Sequence, residues 1–477
     1  MVFSSPIFIF IFFPACLVAY MICRLFKNIK IENICLLIFS VLFYAYGGFS
    51  FILFMILSIV LNYYAAIWFD KLDINDKFRK KIFIVTIVFN LLLLFIFKYF
   101  NLFADTLFTM VNVFSTTEIK NIIPKIILPI GISFYTFQIL SYVIDVYNKK
   151  IKSNDNILDL ALYAFLFPQL IAGPIVRYQA VESELKYRYA NFDDIYIGAR
   201  RFAVGFIKKV LLANYIGYVA DTTFNATPYH TGFYITLIGI LCFVIQVYLD
   251  FFGYSDMAIG IGRIFGFHFP ENFNHPFISC SLTEFWKRWH ITLTSFFRDY
   301  VYIPLGGNRK GIIRTCINIF IVFSLSGFWH GASFNFLFWG MYNALFLILE
   351  RVFLKKYLDK LPKLISIIYT IIIWSFGMIL FYFEDISKIG PFILTIFSKE
   401  YLILENRGLI ETIYNPYFII VFIMSILCST PFFDYFDKKM AEKSLIFITD
   451  LIIILLFIYA IMDMVASGYN PFIYFRF

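Results

Sequence analysis

TCINIFIVFSLSGFWHGASFNFLFWGMYNALFLIL, residues 315–349, runs for 35 residues without one Asp, Glu, Lys or Arg. A membrane span takes about 20 apolar residues, so the stretch is long enough for two spans, divided by the polar and small residues of SGFWHGASFN. His330 stands at that junction. The rest of the chain agrees: of 477 residues 61% are hydrophobic and 15% charged, against roughly 45–50% and 25% in soluble domains. That balance excludes a cytosolic enzyme, a disordered chain and a collagen-like fibre. It leaves room for a polytopic all-α membrane protein and no large soluble domain.

Working outward, Pro6 to Phe26 is apolar with no Lys or Arg before it and with Arg24, Lys27 and Lys30 at its end. A cleaved signal peptide carries its charge in front, so this reads as a retained first helix with its N-terminus outside. Residues 34–46 and 49–69 predict a pair of spans joined at Gly47-Gly48, followed by a basic cytoplasmic loop containing Lys77, Arg79, Lys80 and Lys81. Residues 82–100 and 122–147 predict the next two. The net charge of +9 is then an orientation signal for a membrane protein, not the mark of a nucleic-acid partner.

Residues 157–176 are apolar but broken by Pro168, Gly173 and Pro174 in FPQLIAGPIVRY. Unwound backbone at membrane depth is tolerated only where protein or a water-filled cavity covers it, so Pro168, Gln169, Gly173 and Pro174 are expected to line a cavity. The basic segment 177–210 predicts cytoplasmic amphipathic helices at the interface. The block 270–310 is too charged to span, and Trp286 and Trp289 beside Lys287 and Arg288 predict a helix in the interfacial aromatic belt. Residues 232–252, 365–383, 417–427 and 445–462 bring the expected total to about eleven spans. The expected organisation is one membrane domain over 1–477: N-terminal spans in 1–150, a core with re-entrant and interfacial helices in 157–352, and C-terminal spans with a FIYFRF tail in 353–477.

Five histidines exist: His230, His268, His275, His290 and His330. An ionisable group at membrane depth is costly and marks functional paths; on physics alone His330 reads either as a catalytic base or as a packing hydrogen bond. A neutral imidazole is suited to take a proton from an alcohol near pH 7. His290 reads on its own as an aromatic-belt residue. Two histidines 40 residues apart with no third ligand do not make a zinc motif. The cysteines (16, 23, 35, 242, 280, 316 and 428) are scattered and form no CxxC pair. The run Gly260-Ile261-Gly262-Arg263-Ile264-Phe265-Gly266 misses the dinucleotide spacing and predicts close helix packing or a turn. Asp250, Asp256, Glu271, Glu284 and Asp299 are expected mainly to pair with Arg263, Lys287 or Arg298. No GxSxG elbow is present.

Five blocks in order, FPQLIAGPIVRY at 167–178, DFFGYSDMA at 250–258, NFNHPF through EFWKRWHITLTSFFRDYVYIPLGG at 272–307, GFWHGASFNFLFWG at 327–340 and the terminal NPFIYFRF, resemble the membrane-bound O-acyltransferase superfamily. They are most similar to its bacterial branch of alginate and peptidoglycan O-acetyltransferase membrane subunits, related to the teichoic-acid D-alanyl transfer protein. The resemblance covers nearly the whole chain. It implies helices around a central channel in the cytoplasmic (inner) membrane, with His330 as the catalytic residue and His290 as a second functional histidine.

The same resemblance implies a cytoplasmic thioester donor, acetyl-CoA or an acyl carrier protein, with no bound cofactor or metal. The other implied partners are membrane lipid, a glycan acceptor and a periplasmic SGNH-type (lipase-like) acyltransferase. Ser326, Trp329, Asn335, Trp286 and Arg288 are expected near the channel. Tyr474, in the tail, is either a transient acyl carrier or an aromatic anchor. The alternatives are D-alanyl transfer to teichoic acid and a non-catalytic lipid or acyl-carrier transporter. A transporter would often show paired inverted halves, and no repeat is visible.

Overall fold

The structure is a computed structural model and describes residues 1–115, 123–226, 232–397 and 407–471. Its described residues are helical, with no strand. Nine helices among them are long and apolar enough to cross a membrane, or ten if Pro416–Cys428 and Phe432–Glu442, bent by 76°, form one span. About eleven were expected. Two of the expected spans are shorter helices, Ile29–Ala45 and Ile132–Tyr147. The second is enclosed by protein over nearly its whole length.

The interfacial reading of 177–210 is corrected for its second part, 192–210, whereas Tyr178–Lys186 is a separate short helix. Phe192–Asn225 is one nearly continuous, largely buried helical element that packs along Gly232–Ile264. Two glycines seven residues apart on each make the seam: a Cβ on Gly205 would stand 2.5 Å from the Gly253 carbonyl oxygen, and one on Gly260 2.6 Å from that of Gly198. Small residues let backbones approach closely where lipid supplies no hydrophobic drive. The charges that suggested water are satisfied inside the protein: Lys208 meets Asp256 at 2.9 Å, Lys209 meets Asp250 at 2.9 Å, and Arg201 bridges Asp256 and Glu271. The expected carboxylate pairing is thus found, mostly with other partners. Arg263 pairs with Asp194, and Glu284 with Arg288.

The FPQLIAGP element breaks as its prolines require. Helix Ile157–Phe165 ends at Leu166, and Phe167–Leu170 forms a single turn with Pro168 in its first two positions, where a missing N–H costs nothing. Leu162 through Val176 is buried.

The two halves of the 315–349 stretch form the helices Gly311–His330 and Phe334–Leu349, which pack on each other. A Cβ on Gly327 would lie 2.3 Å from the Phe336 carbonyl oxygen and 2.9 Å from Gly340 Cα. Gly327→Val must therefore push the helices apart. We expect it to destabilise the protein by about 1–3 kcal/mol and to displace His330, read as a lower melting temperature in detergent and reduced turnover; an unchanged melting temperature would refute the close crossing.

Candidate active site

His330 is the last residue of its helix, buried, at the point where the chain turns extended at Gly331. Its ring lies among Trp329, Trp339 and Phe381, with centroids at 5.0, 5.1 and 5.6 Å. Neither ring nitrogen has a hydrogen-bond partner among the described residues. An imidazole held only by aromatic walls, with both nitrogens free, is an unusual use of a buried polar group. It is suited to meet something that enters.

The end of that helix is held from below. The last carbonyls of a helix have no partner within it, and here Tyr99 donates to the Phe328 oxygen at 2.9 Å while Lys98 donates to those of Trp329 and His330 at 2.5 and 3.3 Å. Both come from a π-helical turn, Phe95–Tyr99, inside a span, a distortion frequent at functional sites. A cation at a helix C-terminus is also favoured by the helix dipole. Reading the sequence for histidines missed Lys98, although a lone lysine inside the apolar run 82–100 is itself a signal.

His290 is fully buried and shares Trp329 as a neighbour with His330, its ring centroid 6.2 Å from that of the indole. Its backbone sits at φ 43°, ψ 54°, a conformation that a non-glycine residue holds only when its surroundings impose it. Asn272 supplies much of that constraint. Its Oδ1 accepts from the Thr292 N–H at 3.3 Å and from Thr292 Oγ1 at 2.8 Å, while the Thr292 oxygen is itself occupied by the Ile175 N–H at 3.0 Å. A backbone N–H can only donate, so Oδ1 is the atom turned toward this group. The 3.0 Å contact from His290 Nδ1 to the same oxygen is then a donated bond. In the neutral ring this leaves Nε2, which has no partner, with a free lone pair. Asn272 lies in the NFNHPF block but was not singled out in the sequence.

The interfacial reading of Trp286 and Trp289 is corrected as well. Both are buried and join Trp339 and Trp374 in a cluster with ring separations of 4.9 to 6.2 Å, and Trp339 is the ring that touches His330. Short helices, Leu282–Arg288 and Ile291–Phe297, fold these tryptophans inward. Arg288 turns away to Glu284 and the Asn274 carbonyl.

Ser326 is buried one turn before His330 on its helix, and Asn335, the second residue of the next helix, donates to the Leu380 carbonyl at 3.3 Å with its Oδ1 unpartnered. Gln169 is buried and donates to the Tyr163 carbonyl. It belongs with Pro168, Gly173 and Pro174 to the broken element, which reaches His290 through the Ile175–Thr292–Asn272 bonds. Tyr474 and His230 lie outside the described residues. No group of three or more His, Cys, Asp or Glu residues that could hold a metal lies among the described residues.

A cavity of about 150 Å³ adjoins His330. Lys98, Ser133, Ile171 and Trp329 are among its lining, together with the segment 128–132.

Residues 41–394 match the family model described as membrane-bound O-acyltransferase. The chain is similar to a probable alginate O-acetylase, AlgI, of Pseudomonas putida, 34% identical over the full length of both chains. It is also similar to a peptidoglycan O-acetyltransferase of Helicobacter pylori, at 32% identity over 77% of this chain and 74% of that one. A teichoic acid D-alanyltransferase of Bacillus subtilis is 30% identical over 53% of this chain and 68% of its own length.

Proposed function

Because this chain belongs to the membrane-bound O-acyltransferase family, we propose that it moves acetyl groups from a cytoplasmic thioester donor, acetyl-CoA or a charged acyl carrier protein, for O-acetylation of an envelope glycan such as alginate or peptidoglycan. It is a multi-pass membrane enzyme, and the membrane we propose is the cytoplasmic one. The observation that carries this reading is His330: a buried imidazole with two free nitrogens beside a cavity. In this account neutral His330 takes the proton of an acceptor hydroxyl as that oxygen attacks the thioester carbonyl, and returns it to the departing sulfur. His290, its Nδ1–H fixed by Asn272, is the second functional histidine.

The first acceptor we propose is the Tyr474 hydroxyl, which passes the acetyl group to a periplasmic SGNH-type transferase. Tyr469 to Pro471 support a fixed origin for that tail. The Tyr469 hydroxyl donates to Asp221 at 2.6 Å, the Asn470 amide donates to the Ser4 carbonyl at 2.7 Å, and Lys209 donates to the Pro471 carbonyl. The test is intact mass and thiol release for purified protein given acetyl-CoA. Wild type is expected to gain one acetyl group and Tyr474→Phe none. An acetylated Tyr474→Phe protein would end the shuttle proposal, and turnover only with a D-alanyl carrier protein would replace acetyl transfer by D-alanyl transfer.

A further inference from the structure

The wall of the cavity next to His330 carries a second polar device. Lys98 Nζ is bonded to three oxygens, Ser133 Oγ at 3.1 Å and the carbonyls of Trp329 and His330. An ammonium has three N–H donors, so Lys98 has none left for a ligand. Its bond to Ser133 has a consequence for that hydroxyl. The serine oxygen is used as an acceptor, so its hydrogen points away from the cation, and no acceptor for it is found among the described residues. Ser133 lines the same cavity as His330 and Trp329, and the Trp329 Nε1–H is buried without a partner. Ser133 also stands in the first turn of Ile132–Tyr147, at the positive end of a 16-residue helix. Lys98, the Ser133 hydroxyl, Trp329 and a helix N-terminus thus line a small space beside an imidazole whose unprotonated nitrogen has a free lone pair.

We propose that the Ser133 hydroxyl, held by Lys98, donates to the oxyanion that forms on the acyl carbonyl during transfer, with Lys98 as its positioning residue. This rests on the acyl-transfer reading above. As the acceptor oxygen bonds to the carbonyl carbon, His330 takes its proton and the carbonyl π pair becomes the oxyanion facing Ser133. When the C=O re-forms, the C–S bond breaks and the sulfur leaves as a thiol with the proton from His330. Preorganised donors aimed at developing charge in a dry site give the largest single contribution in many acyl transfers. Lys98 is locked by its three bonds and needs no rearrangement to act on that charge.

Ser133→Ala removes the donor and leaves both Lys98 bonds to the helix carbonyls. Thiol release from acetyl-CoA should fall on the order of 10²-fold, with KM for acetyl-CoA nearly unchanged, the split expected when an interaction made only in the transition state is lost. Ser133→Thr, which keeps the hydroxyl, should restore most of the rate. Wild-type rates in Ser133→Ala would overturn the proposal.

A second readout does not depend on the donor. Acetate, a small carboxylate probe, should slow carbethoxylation of His330 by diethylpyrocarbonate severalfold in wild type, with exposed His268 as the unprotected control, and Ser133→Ala should abolish the protection. Equal protection in both proteins, or none in wild type, would overturn the anion site. If acetate protection depends on Ser133 while acetyl-CoA is not consumed, the site stands and the donor assignment falls.

Discussion

Replacing His330 with alanine is expected to lower thiol release from the acyl donor by about 10²–10⁴-fold, the range for loss of a positioned general base, while the protein still folds. The second half of that expectation follows from the bonding. Neither nitrogen of the ring holds another described residue, so its removal orphans no buried donor or acceptor, and the helix end is secured through backbone carbonyls by Lys98 and Tyr99. What is lost is packing against Trp329, Trp339 and Phe381. A cooperative melting transition with collapsed turnover is the expected pair of results. Near-normal turnover would remove His330 from the chemistry, and a protein that fails to fold would make the imidazole structural.

Lys209→Met is expected to cost about 3–5 kcal/mol, the range for breaking a buried ion pair by removing one partner. The Lys209 and Asp250 side chains are only 1% and 3% exposed, and their ion pair at 2.9 Å joins the packed elements Phe192–Asn225 and Gly232–Ile264. The lysine also donates to Asn214 at 2.7 Å and to the Pro471 carbonyl, so its loss removes an anchor of the segment before the tail. The measurement is thermal unfolding in detergent together with limited proteolysis at the C-terminus. A lower melting temperature with faster C-terminal cleavage is predicted, and Lys209→Met with Asp250→Asn should recover much of the stability because no uncompensated charge remains. If the single variant melts like wild type, the pair is not a stabilising element.

The junction at His330 was legible because charge-free sequence and a polar, glycine-bearing interruption are local signals. The same holds for the broken FPQLIAGP element, whose prolines dictate where the helix stops. What local reading could not supply was the partner of each charge. Lys208 and Lys209 look like a basic interfacial patch until Asp256 and Asp250, more than 40 residues later, are placed opposite them by the glycine seam. Trp286 and Trp289 beside Lys287 and Arg288 looked interfacial for the same reason. Arg288 meets Glu284 one turn earlier and leaves the tryptophans free to pack inward. Asn272 and Ser133 had no signal at all as isolated residues, since their roles arise from what Thr292 and Lys98 present to them.

The most direct test of His330-dependent acyl transfer uses cells lacking this protein, complemented with wild type or His330→Ala at matched membrane levels, and measures the ester-linked acetate released from envelope glycan by mild alkali. The account predicts that wild type restores the ester-linked acetate and that His330→Ala leaves it at the level of the uncomplemented cells. Full restoration by His330→Ala would contradict it.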